Sequence, residues 1–150
     1  MARDFPEIVA YGSAFRFALE AEQACADLAA AAQVLAPDEV WRDKLDEVVC
    51  THDDRVAKLT AGQQEATGTA AAEPPRLLDA AAYLGAMDAD AATSWPAVVE
   101  QLILAEQDAA RFHDDFVAQY EGALAARARA FRKTAEQDRA AADELRDLLG

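Results

Sequence analysis

The chain reads as all-α, and three observations carry that reading. Apolar residues recur at helical spacing along four long stretches, and none of them alternates with the two-residue rhythm of a strand. Gly and Pro are few, 6 and 5 in 150 residues. Ala supplies much of the 53% apolar content, and Ala favours helices and their close approach. A chain of this length fits one domain with a real core, and residues 1–150 are expected to form a single unit.

Helix 1 is expected from Phe5 to Leu35, with Ile8, Tyr11, Phe15, Leu19, Glu22, Ala26, Ala29 and Ala32 on its inner stripe. Pro37 ends it, and Asp38 can cap the next helix. Helix 2 runs from Glu39 to Gln64, with Trp41, Leu45, Val48, His52, Val56 and Leu59 inward. The short loop folds the two into an antiparallel hairpin. Glu65 to Pro75 reads as a linker broken by Gly68, Pro74 and Pro75, and Arg76 to Met87 as a short amphipathic helix. Thr93 or Ser94 can cap helix 3, with Pro96 in its first turn. Helix 3, Trp95 to Tyr120, turns Val99, Leu102, Ile103, Glu106, Ala110, His113, Val117 and Tyr120 inward. Gly122 marks the break before helix 4, Ala123 to Leu149, whose stripe is Leu124, Ala128, Phe131, Ala135, Asp138, Ala142, Leu145 and Leu149. The organisation is thus a helix pair (5–64), a linker with a short crossover helix (65–94) and a second pair (95–149), the connectivity of a four-helix bundle with one long crossover.

The two halves read as copies. Glu22 aligns with Glu106, Leu19 with Ile103 and Phe15 with Val99; in the second helices Leu45 aligns with Phe131, Val49 with Ala135, His52 with Asp138 and Leu59 with Leu145. In antiparallel neighbours Glu22 and His52 come to one height, as do Glu106 and Asp138. Packing the hairpins about a shared axis brings all four to one level of the core. A buried carboxylate is costly unless something pairs it, and three together raise one another's pKa unless protons or a cation intervene. A divalent metal on mixed oxygen and imidazole ligands is the simplest resolution.

Other features narrow the class. The 28 acidic residues outnumber the 14 basic ones, which argues against nucleic acid and against an anionic membrane face. No apolar run approaches the ~20 residues needed to span a bilayer. The opening residues lack the apolar core of a secretion signal, so a cytoplasmic location is expected. Cys25 and Cys50 have no zinc-finger or CxxC spacing; Cys50 falls off the core face, and both read as ordinary reduced thiols. Trp41 and Trp95 begin their helices and are expected to seal the bundle ends. No P-loop, GxGxxG, GxSxG or HExxH is present.

Asp4-Phe5-Pro6-Glu7-Ile8 and Phe17-Ala18-Leu19-Glu20-Ala21-Glu22 resemble the opening helix of rubrerythrin-type, ferritin-like proteins. Leu77 to Leu84, followed by Trp95 to Glu106, resembles that family's crossover and third helix, so the likeness covers nearly the whole chain as a pattern. It implies a ferritin-like bundle in which each half gives one Glu from its first helix and a Glu-x-x-His pair from its second. Glu22 and Glu106 match the single Glu ligands, and His52 matches the first motif His. The motif glutamates, which bridge two metals in the family, are replaced by Val49 and Ala135, and Asp138 stands where the second His belongs. A one-residue shift would offer Glu136 with Arg139 instead, but it turns Glu136 about 100° off the stripe.

The expected function is therefore a reduced metal site: Glu22, His52, Glu106 and Asp138 binding one divalent cation (Fe, Mn or Zn) without a standard di-iron centre. Glu136 and His113 are the second choice of ligands. His113, seven residues beyond Glu106 and so about 10 Å further along its helix, reads first as a core-edge His bonded to a carboxylate. The alternative is a metal-free relic whose buried carboxylates are protonated or paired with Arg127, Arg139 or His113, serving as an oligomerisation or partner-binding module. A third reading is an intact di-iron oxidase in the Glu136 register. The family likeness implies a homodimer.

Overall fold

The computed structural model describes residues 5–8, 11–66, 78–120 and 128–150. Among the described residues the regular structure is entirely helical: α1 (Tyr11–Leu35), α2 (Glu39–Ala66), α3 (Ala81–Asp88), α4 (Ala97–Tyr120) and α5 (Ala128–Leu149). Four long helices form a bundle, and the short α3 lies on the crossover between α2 and α4. None of these helices is long and apolar enough to cross a membrane.

The helix starts follow local chemistry, and three of them fall later than the sequence suggests. Helix 1 does not include Phe5 to Ile8, which are non-helical. Pro6 disfavours the helical conformation at the residue before it, and Phe5 instead packs its ring 5.1 Å from that of Phe17. At α2, Asp38 Oδ1 accepts the backbone N–H of Trp41 at 2.9 Å, the expected cap. α3 begins later than Arg76, with Asp79 Oδ1 accepting the N–H of Ala81 at 3.1 Å. α4 begins two residues after Trp95, where the Ser94 carbonyl accepts from Val98 at 3.1 Å. The expected linker from 67 to 75, the Gly122 break, and Arg76, Leu77, Leu124 and Arg127 lie outside the described residues.

α1 is the spine of the core. It packs against α2 and α4, and α3 rests on α4 and α1 together. Covered on three sides, it buries Phe17, Ala18, Ala21, Cys25 and Leu28 in addition to the stripe that a two-partner helix would need. The Ala-rich second half allows close approach there. Toward the α1 start, Phe15, Phe17, Phe112, Phe116 and Phe131 interlock, with Phe15 edge-on to Phe131 at 6.0 Å. At the opposite end Trp41 stands edge-on to Trp95 at 4.8 Å and closes the bundle. Gln101 pins the crossover by donating to the carbonyls of Ala86, Ala89 and Asp90, which α3 leaves without helical partners, and by accepting from Ala92 at 2.8 Å.

The bundle is asymmetric. α1 and α4 are in close contact and roofed by α3, but α2 and α5 are not among the closely packed pairs. Long polar side chains span the gap between them: Lys44 reaches Glu144, and Arg55 reaches Gln137 and Asp138. A cavity of about 320 Å³ lies between these two helices, with Lys44, Glu144, His52, Arg55 and Asp138 in its walls.

Candidate metal centre

Among the described residues, five carboxylate and imidazole side chains from the four long helices are fully buried at mid-bundle: Glu22, His52, Glu106, His113 and Asp138, none more than 2% exposed. Each sits on the apolar stripe of its helix, which is why the fold carries it inward. The register of α5 follows from burial: Asp138 lies in the core with Ala135 and Ala142 on either side, whereas Glu136 and Arg139 are exposed. The Glu136 alternative is thereby corrected, since two residues along a helix turn a side chain about 200°. The positions where the family pattern has bridging glutamates hold Val49, packed against the core, and the buried Ala135.

His52 is the hub. Its Nδ1 faces Glu22 Oε2 and its Nε2 lies 2.5 Å from Glu106 Oε1. Both ring nitrogens donate only when the imidazole is charged. Burial works against that charge, but the Glu106 carboxylate and the hydrogen bonds to Glu106 and Glu22 outweigh it and push the His52 pKa well above its usual value. Glu22 is opposite in sense: burial favours its neutral form, yet the hydrogen bonds from His113 and His52 hold it well below the ordinary carboxylate range. Burial, with the charges of Glu106 and Glu22, pushes Asp138 well above that range.

Two members were placed differently by the sequence. His113 is not remote from the centre: its Nε2 is 3.0 Å from Glu22 Oε1 and 3.9 Å from Asp138 Oδ2. Helical side chains lean toward their own N-terminus, and α1 runs antiparallel to α4, so Glu22 and His113 lean toward each other. The cation that pairs the carboxylates is Arg55, rather than Arg139. Arg55 Nη1 donates to Asp138 Oδ1 and lies 3.5 Å from Glu22 Oε2, while Nη2 donates to Gln137 at 2.9 Å. Arg139 instead pairs with Asp114 at the surface. Arg55 follows His52 by three positions, one turn along the same side of α2, and this spacing was the available signal.

The donor atoms fall into two overlapping triads that share His52. Those of Glu22, His52 and Asp138 lie within 4.8 Å of one another, and so do those of Cys25, His52 and Glu106. A first-row cation bound at about 2.0–2.2 Å keeps two oxygen or nitrogen ligands within about 4.4 Å, so His52 and its carboxylate partners would have to part from their direct hydrogen bonds to admit one. Glu106 Oε2, His113 Nδ1 and Asp138 Oδ2 are buried without a hydrogen-bond partner. Orphaned acceptors at this depth are expensive, and a cation or a water answers them. Imidazole with carboxylate suits Fe, Mn or Zn.

Compared with known proteins, the chain matches no family model, no curated protein and no solved structure at a significant level.

Proposed function

We propose that this chain is a ferritin-like bundle that binds one divalent cation, Fe, Mn or Zn, at its buried centre, without a standard di-iron site. His52 and the carboxylates of Glu22, Glu106 and Asp138 would hold the ion, with His113 bracing Glu22. The observation that carries this reading is the convergence of five fully buried ligand-type side chains, three of which keep an unpartnered donor atom. The cavity between α2 and α5 reaches His52 and Asp138 and supplies a route for a small ion. A cation in this centre supplies charge compensation and, where a coordination position stays open, Lewis acidity. Val49 and Ala135 in place of bridging glutamates speak against the two-metal oxidase.

Arg55 favours a second reading. Its guanidinium already neutralises part of the cluster, and with two imidazoles beside three carboxylates the set can balance its charge without an ion. The chain would then be a metal-free module for self-association, as a homodimer, or for partner binding.

Elemental analysis of protein purified without a histidine tag separates the two. The cation reading expects about one metal per chain, together with a melting temperature that rises when Fe²⁺, Mn²⁺ or Zn²⁺ is added after chelation, as mass-action linkage requires. Metal-free protein whose melting temperature responds to none of the three overturns it.

A further inference from the structure

We infer that Cys25 is a sulfur ligand of the buried centre, so that the ion sits on Cys25, His52 and Glu106 and the site prefers zinc to manganese. This rests on the cation-binding reading above and deepens it, putting Cys25 in place of Glu22 and Asp138 in the donor set and naming the class of metal.

Four observations point to this triad over the oxygen-rich one. The thiol sulfur of Cys25, a ring nitrogen of His52 and a carboxylate oxygen of Glu106 share one 4.8 Å neighbourhood, and all three residues are buried. Glu106 Oε2 is buried with no hydrogen-bond partner. Glu22 lies on the Nδ1 side of His52 and Glu106 on the Nε2 side. With Nδ1–H donating to Glu22, the Nε2 lone pair is directed to the metal, the arrangement in which a carboxylate fixes the tautomer of a metal-bound histidine. Finally, the hydrogen bonds of Arg55 go to Asp138, Glu22 and Gln137, so both carboxylates of the other triad already carry a guanidinium that repels an incoming cation.

The charges then pair off, with the Glu22 carboxylate alone left to hydrogen bonds rather than to a charge of its own. A divalent ion is neutralised by the Cys25 thiolate and the Glu106 carboxylate, Asp138 keeps Arg55, and Glu22 keeps its hydrogen bonds from the two histidines. On binding, the Cys25 S–H proton and the His52 Nε2 proton leave to water, and the freed lone pairs form the sulfur–metal and nitrogen–metal bonds. No oxidation state changes. Thiolate with imidazole is a soft donor set, which suits Zn²⁺ and Co²⁺ and disfavours Mn²⁺.

Titrating the chelated, tag-free chain with Co²⁺ tests this by absorption spectroscopy. The expected result is stoichiometric binding with a near-ultraviolet thiolate-to-cobalt charge-transfer band. Zn²⁺ should abolish that band, and Mn²⁺ at the same concentration should leave it in place. In Cys25→Ser the band should vanish and Co²⁺ affinity fall by roughly tenfold or more, since even outer-shell losses cost that much. Stoichiometric Co²⁺ binding without the band overturns the sulfur assignment and leaves the cation reading standing. No Co²⁺ binding by chain that circular dichroism shows to be helical overturns both. If Cys25→Ser does not fold, the wild-type spectrum decides alone.

Discussion

Replacing Arg55 with Met separates the electrostatics of the empty centre from those of the filled one. The Arg55 side chain is 11% exposed, against 1% for Asp138 and 0% for Glu22, so its removal strips the guanidinium from two buried carboxylates. Breaking one side of such a buried pair costs about 3–5 kcal/mol, because the surviving charge is left uncompensated. For a domain of this length, each kcal/mol is worth about 2–4 °C in melting temperature, so metal-free Arg55→Met should melt some 6–20 °C below the parent. The loss should be smaller at pH 5 than at pH 8, because Asp138 has a raised pKa and can escape the penalty by taking up a proton. Added Zn²⁺ or Co²⁺ should reverse the order of effects. With the resident cation gone, the ion meets less repulsion, and its stabilisation should exceed that of the parent at equal concentration; a hundredfold excess over Kd is worth about 2.7 kcal/mol. Scanning fluorimetry in chelator and in metal reads both quantities. A variant as stable as the parent in chelator would refute the claim that Arg55 neutralises the core. A variant that is destabilised equally with and without metal would refute the claim that the guanidinium repels the incoming ion.

Three further outcomes follow from the same geometry. Glu106→Gln should abolish metal-induced stabilisation, whereas Leu45→Ala, at a fully buried site in the apolar core, should cost about 2–5 kcal/mol and leave metal stoichiometry unchanged; equal metal loss in both would show that binding merely tracks stability. Metal-free protein should lose stability as pH rises above about 6.5, because the folded pKa of His52 is raised: its contribution is complete below the unfolded value of 6.5 and disappears as pH climbs through the folded one. The lowered pKa of Glu22 acts on the acid side, with a contribution complete above about 4.5 and lost as pH falls toward its folded value; melts in chelator from pH 4 to 9 should therefore peak between the two, and a curve still rising at pH 9 would contradict the assignment. Asp38→Ala should cost about 0.5–2 kcal/mol in chemical denaturation through loss of the α2 cap, with metal binding intact.

The helices, and the polar residues that break their stripes, were legible in the sequence for one reason. A Glu, His or Asp at a position where every neighbour along the helix is apolar has nowhere to go but inward, and its spacing from those neighbours is visible in one dimension. Glu22, His52, Glu106 and Asp138 all announce themselves in this way, and the same logic sends Glu136 outward. His113 was legible as a core histidine bonded to a carboxylate, but not as lying this close to the centre. Axial rise alone puts it about two turns away, while the lean of side chains on antiparallel helices closes that distance. Arg55 and Cys25 were not legible. Each lies three residues from a stripe position, at the flank of its helix, and whether a flank is buried depends on how closely the next helix approaches. A long aliphatic stem makes Arg still harder to place, since it can carry its charge inward or outward from the same Cα.

The approach of neighbouring helices also explains why the centre has one open side. α3 lies across α1 and α4, with Tyr83 and Met87 buried beneath it, so that face is sealed by apolar contact. The opposite face is spanned by ion pairs from Lys44 and Arg55, which can part without exposing apolar surface. A polar seam of this kind can open locally at far lower cost than a packed one, because water replaces what each charge loses. The two halves supply the buried carboxylates, the crossover lies over one side of them, and the departure from closest packing between α2 and α5 leaves a cavity on the other. If substitution of Lys44 and Glu144 by Leu, which should weld the seam with apolar contact, slows metal uptake while leaving the final stoichiometry unchanged, the seam is the entrance; unchanged uptake kinetics would place the entrance elsewhere.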